Sequence, residues 1–386
     1  MPVSATNSEE KTGDRAHARL YTMKIIAASS VLLGLPYRAH GPDIIAGRPA
    51  THINALQICI ETEDGLVGWG EAFGHSVAPV TQAAFDTMIA PLLIGLDASN
   101  IASAMRHLNA ELHLYGRNGA ITYALSGVDI ALWDLAGKRA GLPLYQLLGA
   151  TPRETVPAYA SLLRCAAASP LTATCHAAIA QGYKQIKLHE IDPKLVGIAR
   201  KVLGPDVALM VDTNCPWSLE EAREKAIAMR PFNLEWLEEP IFPPEDRRSL
   251  ALLRDAGVAI AAGENVSGVH EFQAMFEAQA LDVAQPSVIK VGGVTAMLDV
   301  ARLAAAYEVR LQPHCAYFGS GYLASLHLSA FFGGHTWFER LFVDLVDSPF
   351  APFDVITEGH ATLPQRPGLG CDPDPEALAR YTITAN

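Results

Sequence analysis

Four stretches share one plan: Gln185-Ile186-Lys187-Leu188-His189, Ala208-Leu209-Met210-Val211-Asp212, Leu234-Glu235-Trp236-Leu237-Glu238 and Ala259-Ile260-Ala261-Ala262-Gly263-Glu264. Each is a short apolar run closing on an ionisable residue, and amphipathic stretches such as 219–229 and 295–306 have the period of helices. Strand-like runs alternating with helical periods are the pattern of parallel β/α units. Runs of the same texture at 156–161, 282–285, 309–314 and 336–339 bring the number to eight, which suits a closed barrel. Lys187, Asp212, Glu238, Glu264, His314 and Glu339 follow one another at about 25 residues, with a double step before His314, so each step is one β/α unit. They belong on one rim, the C-terminal face where barrels of this kind carry their chemistry.

Asp212, Glu238 and Glu264 are carboxylates on adjacent strand ends, where they would repel one another and cost desolvation energy. A hard divalent cation with oxygen ligands and open positions resolves this, and Mg²⁺ fits. Zinc fits less well, because the candidates include no His-x-His or cysteine pair. Strand alternation turns Gln185, Lys187 and His189 to one face, toward the barrel mouth. Beside another cationic group and a metal ion, Lys187 is expected to have its pKa lowered toward the range of a general base. His189 titrates near neutrality unaided, so either residue can remove a proton. His314 faces this pair across the barrel. The two sides could act on opposite faces of one carbon, or one could take a proton while the other protonates a leaving hydroxyl. Glu339 is a polar partner for a substrate or its enolate. The plainer alternatives are a Lys187–Asp212 ion pair and a His314–Glu339 pair that only closes the rim.

Ahead of the barrel, residues 24–31, 55–61 and 66–71 read as strands, with Asp64-Gly65 as a hairpin turn. From 77 to 149 the period is helical, and 121–140 is a long helix stopped by Gly141 and Pro143. This gives a flexible tail over 1–22, an α+β unit over 23–150, a barrel over 151–355 and a closing segment over 356–386.

The 29 basic and 41 acidic residues leave a net charge of −12, which argues against nucleic acid or an anionic membrane as partner. Six dispersed cysteines without a Cys-x-x-Cys read as reduced thiols of a cytoplasmic protein. No stretch approaches the roughly 18 apolar residues of a membrane span, and no phosphate-loop motif is present.

Several segments together resemble the mandelate racemase and muconate lactonizing enzyme branch of the enolase superfamily. They are Gly68-Trp69-Gly70-Glu71, Gly127-Val128-Asp129-Ile130-Ala131-Leu132-Trp133-Asp134, Val211-Asp212-Thr213-Asn214, Glu238-Glu239-Pro240, Gly263-Glu264-Asn265 and Lys290-Val291-Gly292-Gly293-Val294-Thr295. The resemblance implies an α/β fold, a (β/α)₇β modified TIM barrel with an α+β N-terminal capping domain completed by the C-terminal segment. It implies Mg²⁺ on Asp212, Glu238 and Glu264, with Asn214 and Glu239 as auxiliary groups. A loop over 33–48 would close on a small carboxylate substrate, and the protein would be a homo-oligomer. Family chemistry is removal of an α-proton by a Lys or His base to give an ene-diolate. The expected activity is dehydration of an acid sugar to a 2-keto-3-deoxy acid. Racemisation, epimerisation and lactone cycloisomerisation stand as alternatives, and a catalytically silent acid-binding barrel as a second. Two positions depart from the pattern. His189 stands where the family commonly has a second lysine, and Ser287 stands where an Asp commonly supports the seventh-strand histidine, so His314 is expected to be a weaker base.

Overall fold

The computed structural model describes residues 23–42, 44–45 and 48–383; the tail expected over 1–22 lies outside them. Strands β1 (Ile25–Ala39), β2 (His52–Thr62) and β3 (Val67–Ala72) form an antiparallel meander. Gly65 turns the hairpin with φ of 85°, and its N–H donates to the Thr62 carbonyl at 2.9 Å. Helix α1 (Ile101–Glu111) starts at Asn100, whose side chain accepts from the Ser103 N–H. Helix α2 (Ala120–Ala140) ends at Gly141 in the left-handed conformation, the usual role of glycine after a helix. It lies on β3 at very close range: a Cβ on Gly70 would stand 1.9 Å from the Gly127 carbonyl oxygen. Gly70→Ala is therefore expected to cost about 2–3 kcal/mol. Thermal unfolding measures this, and an unchanged midpoint would contradict the close approach.

Eight strands build the barrel: β4 (Thr155–Ser161), β5 (Gln185–Leu188), β6 (Ala208–Asp212), β7 (Leu234–Glu238), β8 (Ile260–Ala262), β9 (Val283–Ala284), β10 (Arg310–Leu311) and β11 (Phe338–Leu341). Neighbours from β4 to β10 pair in parallel, and β11 pairs in parallel with β4. The seam between β10 and β11 is held by the Trp337 N–H on Gln312 Oε1 (2.9 Å) and the Thr336 hydroxyl on the Leu311 carbonyl (3.3 Å). Around them run α3 (Ala168–Ala180), α4 (Pro193–Leu203), α5 (Leu219–Met229), α6 (Arg247–Leu253), α7 (Gly268–Glu277), α8 (Val288–Val291), α9 (Gly293–Ala306) and α10 (Ser320–Phe332). The architecture is the expected (β/α)₇β barrel with an α+β cap. Ile186 and Leu188 of β5 join the core outside the strands, while Tyr159, Met210, Trp236, Ala261 and Val283 fill the barrel below its rim.

Cap and barrel meet at the start of α10. Gln57 Oε1 accepts from the Ser320 N–H (3.2 Å) and hydroxyl (2.8 Å), and Glu71 accepts from the Gly321 N–H at 2.9 Å. Strand β1 runs past the expected end at Val31. Its far half pairs with β2 (Leu33 opposite Ala55) and with β12 (Val343–Leu345), Tyr37 lying opposite Leu345. The loop expected over 33–48 is accordingly shorter, since 33–39 is strand. The segment after 355 first forms a hairpin, β13 (Ile356–Thr357) and β14 (His360–Thr362), that pairs with β4. Only then does it reach the cap through α11 (Pro375–Tyr381), after which the Ile383 N–H bonds the Leu32 carbonyl at 2.7 Å. Among the described residues no helix is long and apolar enough to cross a membrane.

Candidate metal centre and active site

Asp212 and Glu238 are the last residues of β6 and β7, and Glu264 follows β8 by two positions. Each can offer a carboxylate oxygen within 4.8 Å of the others. Asp212 Oδ1 is occupied by the Asn214 N–H (2.9 Å) and side-chain amide (3.0 Å). Its Oδ2 is buried without a hydrogen-bond partner, although His189 Nε2 (3.2 Å) and Lys187 Nζ (3.5 Å) lie at ion-pair distance. Glu238 is gripped by Trp236 Nε1 at 2.9 Å and Gln285 Nε2 at 2.7 Å, both on Oε2. Burial pushes Glu238 up to about 8; Lys187 opposes this, and Asp212, Glu339 and Glu264 reinforce it. A buried carboxylate raised in this way, with two others offering oxygens within 4.8 Å, forms an oxygen-only cluster. The residues therefore fit a hard divalent cation.

Lys187 lies fully buried among carboxylates from three other strands, with Nζ 2.7 Å from Glu238, 2.8 Å from Glu339 and 3.5 Å from Asp212. Burial alone would lower its pKa, but these partners hold it well above the ordinary lysine range. The expected fall invokes a metal ion beside Lys187; the carboxylates by themselves push the other way. Burial alone would raise Glu339, yet Lys187 and then His314 pull it down to about 2. Its other oxygen accepts from the Cys315 N–H at 2.8 Å.

His189 stands at the mouth just past β5. Its Nδ1 is 2.5 Å from the Leu162 carbonyl, which can only accept, so the neutral ring carries its lone pair on Nε2. Nε2 faces Asp212, which raises the imidazole above its ordinary value against the effect of burial. On the opposite side His314 Nε2 lies 2.8 Å from Glu264 Oε2. Burial works to lower His314, but Glu264 and Glu339 raise it above the ordinary histidine value. These rim carboxylates act on Nε2, the side away from Ser287. The effect of Ser287 is visible instead at His314 Nδ1, which is buried without a partner, while the serine hydroxyl turns to Tyr317 at 3.4 Å.

Glu239 takes φ of 45° and turns away from the triad, accepting from the Gly263 N–H (3.0 Å) and the Cys215 thiol (3.0 Å). It braces the β7 and β8 ends, and burial pushes it up to about 7. Among the described residues all six cysteines are free. Sequence reasoning missed Gln285 and Trp236 as clamps on Glu238; the alternation that exposed Lys187 also puts Trp236 on the face of Glu238. It also missed His75, Tyr123 and Lys290, whose placement depends on how the cap meets the barrel.

Residues 36–149 match the mandelate racemase / muconate lactonizing enzyme N-terminal domain, and residues 171–377 match the enolase C-terminal domain-like family. A 3,6-anhydro-alpha-L-galactonate cycloisomerase of Streptomyces coelicolor is 32% identical over 85% of this chain and 91% of its own. An arabinonate dehydratase of Saccharolobus solfataricus is 31% identical over 81% of this chain and 86% of its own. The crystal structure of an L-talarate/galactarate dehydratase mutant liganded with Mg and L-glucarate superposes with a TM-score of 0.83 at 28% identity, covering 99% of this chain and 96% of that one. With the barrel, the cap and the carboxylate triad in place, the chain belongs to the mandelate racemase and muconate lactonizing enzyme branch of the enolase superfamily.

Proposed function

We propose that the protein is a Mg²⁺-dependent dehydratase of an acid sugar or related α-hydroxy acid. The observation that carries this reading is the pair of histidines, His189 and His314, set on opposite sides of a buried carboxylate triad. Relatives named as dehydratases and cycloisomerases, and a neighbour crystallised with Mg, support it. Asp212, Glu238 and Glu264 would hold the ion, which when bound supplies Lewis-acid stabilisation of the substrate carboxylate and of the charge formed on deprotonation. Lys187 presents a fixed ammonium beside that charge, held in place by Glu339. His189 Nε2 removes the α-proton. His314 gives a proton to the β-hydroxyl as its C–O bond breaks, so water leaves and the enol tautomerises to a 2-keto-3-deoxy acid. Proton NMR in D₂O with Mg²⁺ and a panel of acid sugars tests the reading. A 2-keto-3-deoxy product supports it, and a product that keeps every oxygen of the substrate and carries deuterium at the α-carbon overturns it in favour of the isomerase reading.

That isomerase reading uses the same proton abstraction and is favoured by the cycloisomerase relatives. The partnerless His314 Nδ1 argues against two equivalent bases. Ser287→Asp sets a carboxylate beside it, since Ser287 and His314 are paired across β9 and β10 ends. The expected result is α-epimer formation in D₂O rising by about tenfold, read by NMR; no rise would show that Ser287 does not limit His314.

A further inference from the structure

A second cationic centre lies beside the triad where the cap meets the barrel. Lys290, on α8, is only 5% exposed. Its Nζ has one hydrogen-bond acceptor, Asn265 Oδ1 at 3.1 Å, and lies 4.8 Å from the centre of the Phe73 ring. Among the described residues no ion pair joins Lys290 to a carboxylate. An ammonium has three donors, and Lys290 uses one of them on Asn265, with Glu264 close enough to feel its charge but not paired to it. Lys187, by contrast, has three carboxylates within 3.5 Å.

The cap supplies the rest of the wall. Phe73 and His75 follow β3, their rings 5.1 Å apart, and Tyr123 of α2 meets Phe73 edge-on at 5.0 Å. His75 adopts φ of 43°, a left-handed conformation that residues other than glycine seldom take. Its carbonyl is fixed by the Asn54 side chain at 2.9 Å. Burial, and then His314, hold the His75 ring down to about 4, so it serves as a neutral hydrogen-bonding group near neutrality. Asn265 joins this wall to the triad: its oxygen accepts from Lys290 and its amide lies 3.4 Å from Glu264 Oε1.

We propose that Lys290, aided by Asn265 and His75, binds a second carboxylate at the far end of the substrate, so that the preferred acid sugar is a diacid. This rests on the acid-sugar reading above and names the substrate class within it. Calorimetry on the full chain with Mg²⁺ tests it, using two pairs of probes that differ only at the terminal carbon: glucarate with gluconate, and galactarate with galactonate. The expected result is that at least one diacid binds about tenfold or more tightly than its mono-acid. Lys290→Met brings that ratio close to one, and Lys290→Arg keeps part of it. Equal binding of both members of each pair by the wild type overturns the proposal and leaves the acid-sugar reading standing. Loss of Mg²⁺ affinity in Lys290→Met, with both acids weakened alike, assigns Lys290 to the support of Glu264 and also overturns it. Failure of every probe to bind overturns the acid-sugar reading with it.

Discussion

Glu238→Gln is expected to remove Mg²⁺ binding and to lower turnover by about 10³-fold or more, the equivalent of several kcal/mol of Lewis-acid stabilisation. Of the three ligands, Glu238 is the most constrained. It sits between Lys187, Trp236 and Gln285 with no exposure to solvent. Glutamine keeps the size and can still accept from the Trp236 indole, so the fold should survive. Lys187 retains Glu339 as a partner at 2.8 Å. Calorimetric titration with Mg²⁺, alongside thermal unfolding, separates the two effects. Full metal affinity in a folded variant would remove Glu238 from the metal centre.

His189→Asn is expected to slow α-proton exchange by about 10² to 10⁴-fold, the usual contribution of a positioned general base, while leaving Mg²⁺ binding in place. The variant also decides between His189 and Lys187. Lys187 is the less accessible of the two, fully buried with three carboxylates within 3.5 Å. Replacing Lys187 is a weaker test, since stripping one partner from a buried ion cluster costs about 3–5 kcal/mol in itself. Deuterium wash-in at the α-carbon, followed by NMR, gives the result directly. Unchanged exchange in His189→Asn would return the base role to Lys187.

The rim was legible because its information is local and periodic. Lys187, Asp212, Glu238, Glu264, His314 and Glu339 each end or follow a short apolar run, and the β/α repeat fixes their common face. What escaped depends on partners distant in sequence. The ion partners of Lys187 were only partly in view: Asp212 was weighed as one, while Glu238 and Glu339 arrive from β7 and β11. The extension of β1 to Ala39 needs Val343–Leu345 as a neighbour, which the pattern of residues 24–48 does not contain. His75, Tyr123, Asn265 and Lys290 converge only when the cap seats on α10 through Gln57 and Glu71. No spacing within one segment announces them.

The central claim, a Mg²⁺-dependent α-proton abstraction on an acid sugar, is tested most directly by α-carbon deuterium incorporation in D₂O across a panel of diacid and mono-acid sugars, with and without Mg²⁺. The account predicts that at least one acid loses its α-proton signal, that the loss requires Mg²⁺, and that Glu238→Gln abolishes it. Incorporation that proceeds equally well after removal of Mg²⁺, or a panel that neither exchanges nor binds, would contradict it.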